Sequence, residues 1–325
     1  MPRRCGMSPS SDMRACAYQS SARPSNTPST CVGPGPVLRN DEMNASQLNA
    51  RLQALSENCG FDIYWHVRLA ASGEELTRGG EVVLPSASVR KISVMMAALH
   101  AAGEGRLDLD QPVVIRKEQQ EGILSGVCQY MTPGLTFPMR DAILQMIITS
   151  DNICTYEVMK DLEIAEFTAY CRRIGMENTT HRTRLPPVGL SPAHALEHVT
   201  TTTAQDQVLL LQLILAGAEG DAAATERLGV DAANCAMALR FLTWQRFRSM
   251  IPGHLPTMAT VANKTGWGER GWMDAAIVFK DDAPLYIMSA TTDQVPKVMP
   301  NGLPGRVAST VAIAELSRAC WDALG

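Results

Sequence analysis

Leu48, Leu52 and Leu55 recur at helical spacing between Asn44 and Cys59, which predicts an amphipathic helix. The period then changes. From Phe61 to Ala70 apolar and polar positions alternate as in a strand, Ser72-Gly73 marks a turn, and Glu75 to Arg78 begins the return strand. Leu84 to Ala87 reads as a loop running into a second helix, Ser88 to Ala102. There Ile92, Met95, Met96 and Leu99 fall at i, i+3, i+4 and i+7. Gly103, Gly105 and the run Asp108-Leu-Asp-Gln-Pro112 end it.

Residues 115–240 are mostly helical by pattern, most clearly at Pro138 to Ile148, Ile153 to Leu162 and Ala204 to Leu215. Strand character returns after Thr257. Met258 to Asn263, Asp274 to Phe279 and Leu285 to Thr291 read as three successive antiparallel strands, and Val307 to Leu324 as a closing helix. No internal repeat is visible. Strands at both ends can share one sheet only if the helical block is inserted between them. The predicted fold class is therefore α+β, an antiparallel sheet flanked by N- and C-terminal helices. Its sheet part spans about 43–86 and 245–325, and an all-helical insert about 87–244.

Residues 1–42 break this patterning. They are rich in Ser and Pro, carry Arg3, Arg4, Arg14, Arg23 and Arg39, and read as a disordered tail ahead of the folded unit. Arg3-Arg4 hints at an export signal, but no apolar stretch follows it. The most apolar run, Val208 to Ala218, is too short to span a bilayer. A cytoplasmic protein without membrane association is expected. A net charge of -4 and no basic cluster interleaved with aromatics exclude a dedicated nucleic-acid binder. The nine cysteines form no C-x-x-C pair, so they read as free thiols in a reducing compartment. Cys154 reads as a helix-packing residue. A monomer or weak homo-oligomer is expected.

Against this background three triplets carry chemistry: Ser88-Val-Arg-Lys91, Ser150-Asp-Asn152 and Lys264-Thr-Gly266, about 60 and then about 115 residues apart. Ser88 stands where loop becomes helix, so its hydroxyl is presented at a helix N-terminus that favours developing negative charge. Lys91, three residues on, shares its face and serves as base if burial or neighbouring charge lowers its pKa. Ser150 can relay a proton to a leaving group, and Asn152 can bond both Lys91 and a substrate amide. Asp151 reads as a helix cap. Lys264 and Thr265 stand at the end of an edge strand, and Gly266 lets a substrate backbone approach it. Taken singly, each triplet has a plain structural reading as a helix cap or a surface turn. All three in order are hard to reconcile with that.

Together the triplets resemble those of serine β-lactamases and penicillin-recognising enzymes. Gly105-Arg-Leu-Asp-Leu-Asp-Gln-Pro112, Met131-Thr-Pro-Gly134 and Thr200-Thr-Thr-Thr203 are similar to the family too, and the resemblance covers roughly residues 45–325. It implies an active site between sheet and helical insert, and an acyl-enzyme on Ser88 with Lys91 as base and Ser150 as relay. Asn152, Lys264, Thr265 and Gly266 would bind substrate, and the backbone N–H groups of Ser88 and Trp267 would form an oxyanion hole. The expected partner is a small amide, ester or lactam, with no metal and no organic cofactor.

Two departures stand out. The water-activating glutamate of class A enzymes would fall near Pro187, yet no Asp or Glu occurs from Asn178 to Leu196. A leaving group retained near Ser150, or Lys91 or His181 acting on water, could then clear a less hindered acyl group. Trp267 is also bulky where many lactamases have a small residue, which implies a reshaped acyl pocket. Finally, His194-Ala-Leu-Glu-His198 matches an inverted zinc-protease pattern. Pro192 and Val199-Thr200 leave little helix around it, so a surface role is the expectation.

Overall fold

The computed structural model describes residues 44–325. The tail read at residues 1–42 lies outside the described residues. The first helix, α1 (Ala45–Glu57), starts at a capping box in which Asn44 and Gln47 exchange hydrogen bonds. It buries Leu48 and Leu52, and its Ser56 hydroxyl accepts the indole N–H of Trp65 at 2.9 Å. The hairpin β1 (Asp62–Leu69) and β2 (Glu75–Arg78) follows as the alternation predicts.

Leu84–Pro85, expected to be loop, is instead a two-residue strand, β3, paired with Thr201–Thr202. A 3₁₀ turn, Ala87–Arg90, leads into α2 (Lys91–Gly103). Next come β4 (Pro112–Val114) and β5 (Thr136–Pro138), a small antiparallel pair inside the insert that periodicity did not predict. After it, α3 (Met139–Ile148), α4 (Asn152–Met159) and α5 (Ile164–Arg173) follow in turn. Then β6 (Thr201–Thr202) leads to α6 (Ala204–Ala218), α7 (Ala222–Leu228) and α8 (Ala232–Thr243). The chain returns to the sheet as β7 (Thr260–Trp267), β8 (Trp272–Lys280) and β9 (Ala283–Asp293), and closes with α9 (Gly305–Leu324).

The strands form one antiparallel five-stranded sheet in the order β2-β1-β9-β8-β7, so the N-terminal hairpin joins the C-terminal strands through β1 and β9. The fold is α+β, as the pattern predicts. Each face of the sheet carries its own core. On one face Trp65, Val278, Tyr286 and Met288 pack with Leu48 and Leu52 of α1 and Ile313 and Leu316 of α9. On the other, Ala275, Ile277 and Ile287 meet Ile92, Met95, Met146, Leu211 and Ile214 of the insert. Successive residues of β8 therefore enter different cores, which is why it reads as a continuous apolar run. Among the described residues no helix is long and apolar enough to cross a membrane.

Candidate active site

Three chain crossings meet at the edge of the sheet. The turn holding Ser88 packs on β7, so closely that a Cβ on Gly266 would stand 2.9 Å from the Ser88 amide nitrogen and 3.0 Å from that of Val89. Only glycine allows this approach. The turn itself is strained. Ala87 takes φ +38°, and Ser150, whose hydroxyl accepts from Lys91, takes φ +56°. Asp151 then caps α4, its Oδ1 accepting the Cys154 amide at 3.0 Å and its Oδ2 the Cys128 amide at 2.8 Å.

Lys91 is fully buried at the start of α2. Its Nζ donates to Ser150 O at 2.7 Å, to Ser150 Oγ at 3.0 Å and to Asn152 Oδ1 at 2.8 Å. Three acceptors match the three protons of an ammonium, and in that state the nitrogen has no lone pair to offer. Burial, followed by the positive charges of Lys264 and Arg90, pushes the Lys91 pKa well below the usual lysine value, toward the amine form. Among the described residues no hydrogen bond joins Lys91 Nζ to Ser88 Oγ. The structure thus brings Ser88, Lys91, Ser150 and Asn152 into one cluster, with the amine held from the Ser150 side.

Lys264 and Thr265 are placed differently from the sequence reading. They lie within β7 rather than at its end, and both are fully buried. Lys264 Nζ donates to Thr265 O at 2.7 Å, and Thr265 Oγ1 has no partner among the described residues. Burial lowers the Lys264 pKa to about 7 and raises that of Asp274, on β8, to about 7, each partly offset by the other's charge. Asp274 accepts from Asn263 Nδ2 at 3.0 Å and from the Ile251 amide at 3.0 Å.

A cavity of about 450 Å³ opens above this cluster, with Ser88 and Asn152 among its lining residues. One wall is the loop carrying Leu185, Pro186, Pro187 and Val188, and the facing wall carries Trp267 and Trp272. Trp267 is braced edge-on by Phe247, ring centroids 5.4 Å apart. The loop wall contains no carboxylate. His181 does not reach the cavity: it is buried behind the wall, its Nε2 3.0 Å from Ser93 Oγ. Burial, with Arg90 nearby, lowers its pKa to about 3. The expectation that His181 acts on water is therefore corrected.

Arg90, which the sequence reading did not single out, is buried and lines the same cavity. It donates to the carbonyls of Thr183 and Arg184 and to Thr200 Oγ1, pinning the loop to the turn that holds Ser88. Burial lowers its pKa to about 10, so it remains charged at neutral pH with no acidic partner among the described residues. No local pattern marks such a residue, because its partners are more than ninety positions away.

Elsewhere, the ligand atoms of His194, Glu197 and His198 do not converge. Among the described residues Cys128, Asp151 and Cys154 alone bring theirs within 4.8 Å of one another. There the Asp151 carboxylate is already taken by two backbone amides, and the hydrogen-bonding contact with Cys128, followed by burial, holds Cys154 protonated. The six cysteines among the described residues are free thiols.

The fold is α+β with a helical insert, and Ser88, Lys91, Ser150 and Asn152 lie where sheet and insert meet. The chain belongs to the beta-lactamase enzyme family, whose model matches residues 47–324. Among solved structures it is similar to a β-lactamase from Sphaerobacter thermophilus, with a TM-score of 0.72, 21% identity, and coverage of 87% of this chain and 98% of that one. An ancestral class A β-lactamase gives 0.72 at 22% identity, covering 85% and 100%. A mutant of PBP-A, seen as an acyl-enzyme complex with penicillin-G, gives 0.69 at 22% identity, covering 87% and 97%. No curated protein matches the chain.

Proposed function

We propose that this protein is a serine hydrolase that forms an acyl-enzyme on Ser88 with a β-lactam or a related small amide or ester. The observation that carries this reading is the fully buried Lys91 amine, bonded to Ser150 and Asn152 beneath the cavity that Ser88 lines. In the neutral form Lys91 takes the Ser88 hydroxyl proton as Oγ bonds to the acyl carbon. The carbonyl oxygen gains the negative charge and is held by the amides of Ser88 and Trp267. As the tetrahedral centre collapses, the Ser150 hydroxyl gives its proton to the leaving group and is reprotonated from Lys91. Water then clears the acyl group. Asn152 orients the substrate amide, and Gly266 keeps the strand close.

A second reading, an acylated state that persists, is favoured by the apolar loop wall, where nothing activates water. Steady turnover of an ester or lactam separates the two. The common step is tested by incubating the protein with a β-lactam or a fluorophosphonate and mapping the adduct by mass spectrometry. The adduct is expected on Ser88 and absent from Ser88→Ala. An adduct on a cysteine, or one that survives the substitution, sinks the proposal.

A further inference from the structure

Resting on that reading, we infer that the substrate is a neutral ester or amide with an extended alkyl or aryl group, rather than a carboxylate-bearing lactam or peptide. The cavity rim points to this class. Leu124 is 71% exposed, Val188 64% and Trp267 40%, and all three border the same opening. Single exposed hydrophobic residues are commonplace, whereas several gathered round one cavity mark a site for apolar ligand surface. Leu185, Pro187 and Trp272, all half-buried, continue that surface. Because Phe247 braces Trp267, this wall is a preformed face rather than a loose side chain.

The groups that would hold a carboxylate are not offered to the cavity. Lys264 and Thr265 are fully buried and do not line it; Lys264 Nζ bonds within its own strand, and the Thr265 hydroxyl, though unpartnered among the described residues, lies beneath the cavity surface. Burial also lowers the Lys264 pKa to about 7, so part of its charge is lost at neutral pH. Arg90 lines the cavity, but its guanidinium is committed to the carbonyls of Thr183 and Arg184. The remaining charges on the lining are Glu269 and Lys297, opposite in sign and both exposed, so water screens whatever preference they create. His194 completes the titratable groups of the lining, and its Nδ1 lies 3.1 Å from its neighbour's carbonyl. An ionised carboxylate entering this space would leave its water shell without gaining a buried cation free to pair with it. An alkyl or aryl group gains from the same transfer.

Boronic acids test the class on the intact protein, because they report binding even if turnover is slow. The Ser88 oxygen donates a lone pair into the empty boron orbital, and its proton passes to Lys91. Inhibition constants would be measured for methyl-, butyl-, octyl-, phenyl- and 3-carboxyphenylboronic acid, by protection of Ser88 from the fluorophosphonate label. Affinity should rise about fourfold for each methylene buried. Phenylboronic acid should bind at least about tenfold more tightly than its carboxyl derivative. In a Leu124→Ser, Val188→Ser double variant the octyl-to-methyl ratio should fall at least about fivefold. Both positions are exposed, so folding is not at issue, and a melting curve verifies it. A flat alkyl series, or tighter binding of the carboxyl compound, overturns the inference while leaving Ser88 as nucleophile. Failure of the phosphonate to label Ser88 overturns the serine reading itself.

Discussion

Lys91 Nζ sits 3.0 Å from the Ser150 hydroxyl, and the Ser150 carbonyl takes a second of its protons at 2.7 Å. The amine is thus tied to the residue that would receive its proton after attack. Burial and neighbouring cations push its pKa down, so the neutral base becomes available well below the pH at which an ordinary lysine loses its proton. Acylation should rise with pH along a limb set far under 10.5. Lys91→Met should remove the limb and slow acylation by about 10²–10⁴-fold. Single-turnover labelling across pH measures both, and an unchanged profile in the variant contradicts the assignment.

Deacylation should lag. The loop wall of Leu185, Pro186, Pro187 and Val188 offers no base to water, and general-base help is typically worth about 10²–10⁴-fold. A chromogenic ester with an alkyl or aryl acyl group should therefore give a burst followed by slow release in stopped flow, with a trapped adduct. Pro187→Glu should shorten the life of that adduct. Linear turnover at roughly tens per second, a typical enzyme rate, with no burst would mean that an unrecognised group activates water.

Gly266→Ala should injure acylation more than stability. The added methyl meets the Ser88 amide at 2.9 Å and Met273 Cγ at 3.0 Å, so β7 must shift away from the turn that holds Ser88. A displacement of this kind can cost about 10² in rate. The measurement is labelling rate against melting temperature. Full reactivity in the variant would show that the close approach is not needed.

Arg90→Met should loosen the cavity wall. It leaves two part-buried carbonyls without their charged donor, at about 1–3 kcal/mol. Arg90→Lys should not restore the loss, because a point charge cannot span both carbonyls. Limited proteolysis between Arg182 and His198 reads the loop directly. Protection equal to wild type in both variants counts against the pinning role.

How much of this could be read from the sequence follows from distance along the chain. Ser88 with Lys91 and Ser150 with Asn152 are legible because each pair must be a few residues apart on one turn. The sheet is legible where one face is wet, as in β1, and less so in β8, whose residues enter both cores. The depth of Lys264 is not legible. Its burial depends on β8 and the helical insert covering β7, and a lysine before Thr-Gly looks the same at a surface turn. Arg90 is hidden for the same reason. Between a serine and a lysine it reads as solvated until a loop nearly a hundred residues later closes over it. The pair β4 and β5 is too short to show an alternation.

Acid stability should carry the mark of His181. Its pKa of about 3 in the fold lies below the ordinary 6.5, so the unfolded chain binds the extra proton first as pH falls. Between those values stability should drop by up to about 1.4 kcal/mol per pH unit from this group alone. Above 6.5 the group contributes no slope. Urea titrations from pH 7 to 4 should show a shallower decline in His181→Gln, whatever its absolute stability. Parallel curves would mean that the imidazole is not held neutral.

The pairing of β1 with β9 also sets an order of events at the ribosome. More than two hundred residues separate the two strands, tens of seconds of translation at about 5–20 residues per second. Until β9 emerges, the β1–β2 hairpin carries an open edge ready to pair with any exposed strand. The helical insert, complete well before β7 is made, can bury much of its own apolar surface during that wait. The nascent chain therefore faces an aggregation hazard at its first strands until the last one is made.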